Sequence, residues 1–477
     1  MSELAKFRKL FNNSIIGSVI SLSRLSSGFV RGKVTAIALG VAGVGIFSQG
    51  NQLALFGLTI ASLSMASGIV NRLNVGENHA DEVAQGKVIS TAFTLQFFLC
   101  LLTILMGVLF SGPLSRAVFA STEYQGKVLL VFASIPFSVF ASGYLQCFLV
   151  HPDRYKRMMW ATVGANFSGL IVFIVLVKKY ALLGAFIGMG ANSLLLFLFY
   201  LFAIPKGFGG RSLFGFGFDR SEFLFLIKFA ALGLVMAAVS YGANLWIRGV
   251  VLMKLGSVEN GLLQVPIAMT SYYSPFLVDA FWIQLYPAVS KAGDTSQSRK
   301  ELFTVLKYVI TLQTFIALIL LLFQNYFIKI AYSSSFLDAN KLIPIELVGD
   351  FFYFILQGFS IYFMGVLRLR QSIVGWSLYY GILIVTTLIG ISQYGVRAVP
   401  AAYAIVSFLF TLVLMAWAWN QCRDEVRAIR GYVALCFLLV FGGALLANQE
   451  MWIPQLGLLL FFIAYAITHT VKVGRVK

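Results

Sequence analysis

In the stretch SLSRLSSGFVRGK (21–33), Arg24, Gly28 and Arg31 follow i, i+4, i+7 spacing and share one helical face, with Lys33 just beyond. A row of guanidiniums is an anion-binding surface, because each planar fork matches phosphate oxygens in both charge and geometry. Tyr241, Asn244 and Arg248 repeat the device at i, i+3, i+7. Three acids stand in apolar surroundings: Asp279 alone, and Glu346 with Asp350 one turn apart. A carboxyl group held there suits a proton- or ion-coupled step, and a fixed ion pair is the static alternative. The amides Gln49, Asn51, Gln264 and Gln284, with Tyr272, Tyr273 and Trp282, offer hydrogen bonds and ring faces of the kind that hold sugars. An interfacial aromatic belt is the competing reading for those rings.

Other chemistry is disfavoured. Cys100, Cys147, Cys422 and Cys436 have no paired spacing, no Cys/His cluster of metal-binding size exists, and His79, His151 and His469 fall near expected cytoplasmic helix ends. We therefore expect no disulfide, no metal and no cofactor. There is no nucleophile triad and no phosphate-binding loop, which argues against a hydrolytic or ATP-driven enzyme.

The elements that must carry these residues follow from composition. Of 477 residues 59% are hydrophobic and 11% charged, and apolar runs of about 20 residues recur along the whole length. Such runs are too long and continuous for barrel strands, so the expected class is an all-α polytopic membrane protein. We read about 14 spans, an even number that puts both termini on one side. Every loop on that side is basic, which makes it the cytoplasmic one. The first residues, MSELAKFRKLFNNS, lack the apolar core and small-residue site of a cleaved leader and are expected to be retained. External loops are short, SGPLSRAVFASTEYQGK and QNYFIKIAYSSSFLDAN being the longest at 17 residues each.

Arg24 lies about ten residues into the first span, hence roughly 15 Å deep in a layer about 30 Å thick. Against lipid such a charge costs on the order of 3 kcal/mol or more, so it should face a bundle interior or a wet cavity. Arg31 and Arg248, nearer a helix end, have snorkelling as their alternative.

An internal repeat organises the chain. RGKVTAIALGVAGVGIFSQ from Arg31 and RGVVLMKLGSVENGLLQ from Arg248 share Arg-Gly, Leu-Gly, Gly and Gln in order. Both copies bridge one span to the next, as expected of two duplicated six-helix lobes in parallel orientation. The expected organisation is a first lobe at 1–204, a cytoplasmic linker at 205–221, a second lobe at 222–420, and an appended helix pair with a cytoplasmic tail at 421–477. The two cationic first helices would then line opposite walls of a cleft. Pro266, Pro275 and Pro287 predict a kinked, partly unwound span suited to a moving gate.

The motifs SRLSSGFVRG, LGVAGVGIFSQ, RGVVLMKLGSVENGLLQ and the basic HPDRYKRM loop together resemble the polysaccharide transporters of the MOP superfamily, the bacterial Wzx-type flippases. The resemblance covers essentially the whole chain and is strongest in the first, second, seventh and eighth helices. It implies a pseudo-symmetric MATE-like fold in the bacterial inner membrane. It further implies translocation of an undecaprenyl diphosphate-linked O-antigen or related glycan from cytoplasmic to periplasmic leaflet, in the service of lipopolysaccharide and polysaccharide biosynthesis. Alternating access of the lobes, antiport of H⁺ or Na⁺, and a polysaccharide polymerase as candidate partner come with it, and nucleic acid does not. Carried over are the cationic positions Arg24, Arg31, Lys33 and Arg248, with Asp279 and Asp350 as coupling acids; Glu346 is a coupling candidate from its place one turn from Asp350. A peptidoglycan lipid-precursor flippase shares the anionic head group and is the alternative. A MATE-type drug exporter would place a carboxylate, not arginines, in its first helix, and a polymerase or ligase would carry a large external loop.

Overall fold

A computed structural model describes residues 3–65, 68–69, 72, 82–149, 155–203, 217–449 and 451–474. His79, His151 and the basic positions Arg154, Lys206, Arg211, Arg475 and Lys477 lie outside them, as do residues 205–216 of the expected linker. Among the described residues the chain is helical throughout, with no strand. The helices are α1 (Glu3–Ser62), α2 (Glu82–Leu109), α3 (Ser111–Phe119), α4 (Gln125–Leu149), α5 (Tyr155–Ala203), α6 (Arg220–Leu255), α7 (Ser257–Ala280) and α8 (Tyr286–Ala292). They continue with α9 (Ser296–Leu322), α10 (Gln324–Ala331), α11 (Ile343–Gly365), α12 (Leu369–Tyr394), α13 (Ala398–Gln421), α14 (Arg423–Asn448) and α15 (Trp452–Gly474).

Nine stretches among the described residues are long and apolar enough to cross a bilayer, so the count of fourteen is not reached directly. Three of the nine, of 47, 49 and 53 residues, are each more than twice the length one crossing needs. The reason is that several expected loops shrink almost to nothing. Gly40, at φ 65 and ψ −172, breaks α1, and Ala181, at φ 47, breaks α5. A glycine meets the first requirement at no steric cost, because the left-handed region is open to it. At the second break the helix folds back on itself: Gly184 packs against the Leu176 carbonyl, and a Cβ on Gly188 would stand 3.2 Å from the Phe173 Cα.

The chain forms two compact units, Met1–Val258 and Glu259–Lys477. The division falls after α6, beyond the 205–221 linker expected from the repeat. In the first unit α6 packs on α1, α2 and α3, and the Arg72 guanidinium grips the Glu222 carboxylate bidentately at 2.8 Å. Side chains press into glycine notches, Phe186 at Gly50, Ile135 at Gly57 and Phe132 at Gly107, the close helix packing typical of membrane bundles. In the second unit α11 is the central helix, most of its residues buried among α9, α12, α13 and α14.

Each of the two segments expected to be the longest external loops contains a short helix. α3 occupies the first and α10 the second, each directly after a long apolar helix. Unwinding in the proline-rich segment is narrower than its three prolines predict. Pro266 and Pro275 sit inside continuous α7, and only Phe281–Leu285 relaxes to a π turn before α8, which starts at Tyr286 with Pro287 in its first turn.

Candidate functional site

The first cluster is built on α1. Its buried edge carries Ser23 and Ser27: the Asn166 amide of α5 donates to Ser23 Oγ at 3.0 Å, and Ser27 Oγ donates to the Asn166 carbonyl at 3.3 Å. One step around the helix, Arg24 and Gly28 are exposed. Arg24 makes no hydrogen bond or ion pair with any described residue. Arg31 sits between the two edges, half-buried. One of its terminal nitrogens donates to Asn192 Oδ1, its guanidinium carbon lies 5.8 Å from the Phe173 ring centroid, and its Nε is buried with no partner. The expected face of Arg24, Gly28 and Arg31 is therefore a graded one, from a free guanidinium to a tethered one. Lys33 follows, half-buried.

Arg248 departs from expectation. It is 2% exposed, among the largest fully buried side chains, and donates to Ser48 Oγ at 2.5 Å inside the first unit. It presents no surface to a cargo in this conformation, because α1, α3 and α6 close over it. A Cβ on the adjacent Gly249 would lie 3.3 Å from the Ala117 carbonyl. Gln49 is likewise a tie rather than an open contact. Its side-chain amide donates to the Val118 and Leu245 carbonyls at 3.0 and 3.1 Å, leaving its own carbonyl buried without a partner. Asn244 donates back to the Ser240 carbonyl of its own helix, Tyr241 is half-buried, and Asn51 is exposed.

The second cluster lies in the second unit. Asp350, completely buried on α11, accepts from three hydroxyls: Thr270 at 2.7 Å and Tyr273, both from α7, and Tyr403 from α13 at 2.9 Å. Glu346 lies one turn earlier and is 9% exposed, and its carboxylate accepts no hydrogen bond among the described residues. The acids thus differ in kind, one held by a hydroxyl cradle and the other bare. Tyr273, expected as a sugar platform, belongs to that cradle.

Asp279 is exposed, not buried. Leu277, Phe281 and Leu285 form the inward row of this segment, which turns Asp279 outward with Phe276 and Ile283. Gln284 and Trp282 are exposed on that same outer side, and Gln264 is half-buried.

Asn192 and Ser48, which hold the arginines, and Thr270 and Tyr403, which hold Asp350, did not emerge from the sequence. Isolated polar residues inside apolar runs, such as Asn192 in GANSLLLF, were the available signal. Among the described residues no group of His, Cys, Asp and Glu can hold a metal, and the three cysteines whose side chains are described are free.

No family model matches the chain. A lipid III flippase of Escherichia coli strain K12 is 24% identical over 335 residues, covering 69% of this chain and 79% of that protein. Among solved structures, a lipid II flippase in an inward-closed conformation aligns over 97% of this chain and 100% of its own, with a TM-score of 0.66 and 16% identity. An inward-facing MATE-family multidrug transporter of the MOP superfamily aligns over 86% of this chain and 96% of its own, with a TM-score of 0.65 and 15% identity. The fold is accordingly the one these flippases and exporters share.

Proposed function

We propose that this chain is a flippase for a lipid-linked precursor whose head group is anionic, working by alternating exposure of a cationic surface on α1. The observation that carries the reading is Arg24. It is an exposed guanidinium, unpaired among the described residues and deep in an apolar helix, beside the partly satisfied Arg31. An uncompensated charge at that depth is costly unless water or an anion meets it, and a diphosphate is the anion that a lipid-linked precursor brings. The prenyl tail stays in hydrocarbon while the head group exchanges water for arginine. A drug exporter with the same fold moves cations, which this surface would repel.

The lipid II and lipid III flippases among the similar proteins support a lipid-linked precursor, with the peptidoglycan-type cargo favoured over the O-antigen unit. The O-antigen reading is retained as a narrower alternative for the sugar. Asp350 and Glu346 are the coupling acids in this scheme, for H⁺ or Na⁺, since they lie together and one of them is bare. Asp279, turned outward, is not included. The two-lobe division at 204 and 222, both termini on the cytoplasmic face of the inner membrane and a polymerase downstream complete the proposal.

Reconstitution into liposomes with labelled undecaprenyl diphosphate carriers tests it, one bearing a peptidoglycan-type head and one an O-antigen-type head. Movement of at least one carrier, lost in Arg24→Ala, is the expected result. Transport of a lipophilic cation with neither carrier moved would end the flippase reading.

A further inference from the structure

We propose that the groove between α9, α14 and α15 binds an anionic phospholipid of the surrounding bilayer, its phosphate between Lys300 and Lys307 and an acyl chain along the apolar wall. The groove has a volume of about 410 Å³, enough for a head group and the first part of a chain. Lys300 and Lys307 stand seven residues apart on one face of α9, so Lys307 lies about 10 Å deeper along the axis. The Lys307 ammonium sits 5.3 Å from the centroid of the Tyr432 ring, and the Thr311 and Tyr432 hydroxyls are hydrogen-bonded at 2.6 Å, which fixes the floor.

Phe303, Ile429 and Ala466 supply the apolar wall. Glu425 is the single carboxylate of the lining, and it makes no ion pair with the exposed Lys300 among the described residues. Two ammoniums against one carboxylate leave the groove cationic. Its outer lip, Thr304 and a Tyr308 that is 64% exposed, opens sideways from α9. A soluble anion gains nothing from an apolar wall, whereas a phospholipid satisfies both halves of the groove at once. This site is separate from the α1 arginines and does not depend on the cargo proposed above.

Native mass spectrometry of the full-length protein, offered equal amounts of dioleoyl phosphatidylglycerol and dioleoyl phosphatidylcholine, tests the assignment. Wild type should retain the anionic lipid at least about threefold over the zwitterionic one, and the double variant Lys300→Gln/Lys307→Gln should bring the ratio to about one. Lys291→Gln, an exposed cation outside the groove, should leave it unchanged, and Lys300→Gln alone, at an exposed position that folding does not need, should lower it. Equal retention of both lipids by wild type overturns the proposal, as does a double variant that folds and keeps the preference. Displacement of the bound lipid by millimolar inorganic phosphate would also overturn it, since the site would then read the anion and not the lipid.

Discussion

The Arg31 guanidinium is hydrogen-bonded to the Asn192 side-chain oxygen, joining the first half of α1 to the second half of α5. The bond holds one arm of the guanidinium and leaves its buried Nε unsatisfied. Arg31 is thus fixed in direction while one donor remains open, next to an Arg24 that is not fixed at all.

Replacing Arg31 by Ala should lower flipping by at least about tenfold, and Lys should restore only a minor part, because an ammonium lacks the fork that engages Asn192 and a phosphate together. Asn192→Ala should have a smaller effect, leaving the charge but not its aim. Initial rates in liposomes, normalised to inserted protein, decide this; full activity of Arg31→Lys would show that charge alone suffices.

Arg24→Ala and Arg248→Ala should separate activity from stability. The exposed Arg24 should cost transport with thermal unfolding unchanged. The Arg248→Ala change leaves a cavity and takes from Ser48 Oγ the donor it accepts from, with its own bond to the Gly45 carbonyl kept, so it should cost about 3 kcal/mol of stability. Unfolding in detergent reads the second, and equal melting temperatures for both variants would contradict the burial described.

Asp350→Asn keeps the size of the side chain but removes its charge and one acceptor for the Thr270, Tyr273 and Tyr403 hydroxyls. Transport should fall about tenfold or more and lose its dependence on the ion gradient. Tyr403→Phe, which removes a single hydrogen bond, should retain the dependence at a reduced rate. A gradient-dependent Asp350→Asn would move the coupling role elsewhere.

Asp294 joins the start of α9 to the end of α11 and to the residue that precedes α12, accepting from Arg299, Tyr362 and Arg368. Burial alone would raise its carboxyl, but the Tyr362 hydroxyl and the two guanidiniums outweigh that and hold it below the usual range. A depressed folded-state value contributes stability above the ordinary carboxylate pKa of about 3.9 and loses it as pH falls further. The melting temperature of wild type should therefore drop more steeply below about pH 4 than that of Asp294→Asn. Parallel curves for the two proteins would exclude the linkage.

Much of the fold was legible because a bilayer imposes a coarse rule: apolar runs of span length become helices, and lysines at 178 and 179 mark the end of one. How little chain joins two spans was not legible, since Gly40 and Ala181 reverse or kink the helix within a residue that composition does not distinguish. The α1 face was legible because its spacing is local. The burial of Arg248 was not, because Ser48 lies 200 residues away and the Ala117 carbonyl comes from a third helix. Asp350 itself stood out as an acid in an apolar run, yet its cradle comes from residues 53 to 80 positions distant. Asp279 misled because depth along the sequence says nothing of azimuth around the helix.

The fold-back at Ala181 has a consequence for how the protein can be altered. With Gly184 seated on the Leu176 carbonyl, the two limbs of α5 share one joint with no slack, so neither can slide along the other. An epitope tag placed between residues 180 and 182 should therefore abolish expression, whereas the same tag after Ala120, where α3 ends in a left-handed residue, should be carried without harm.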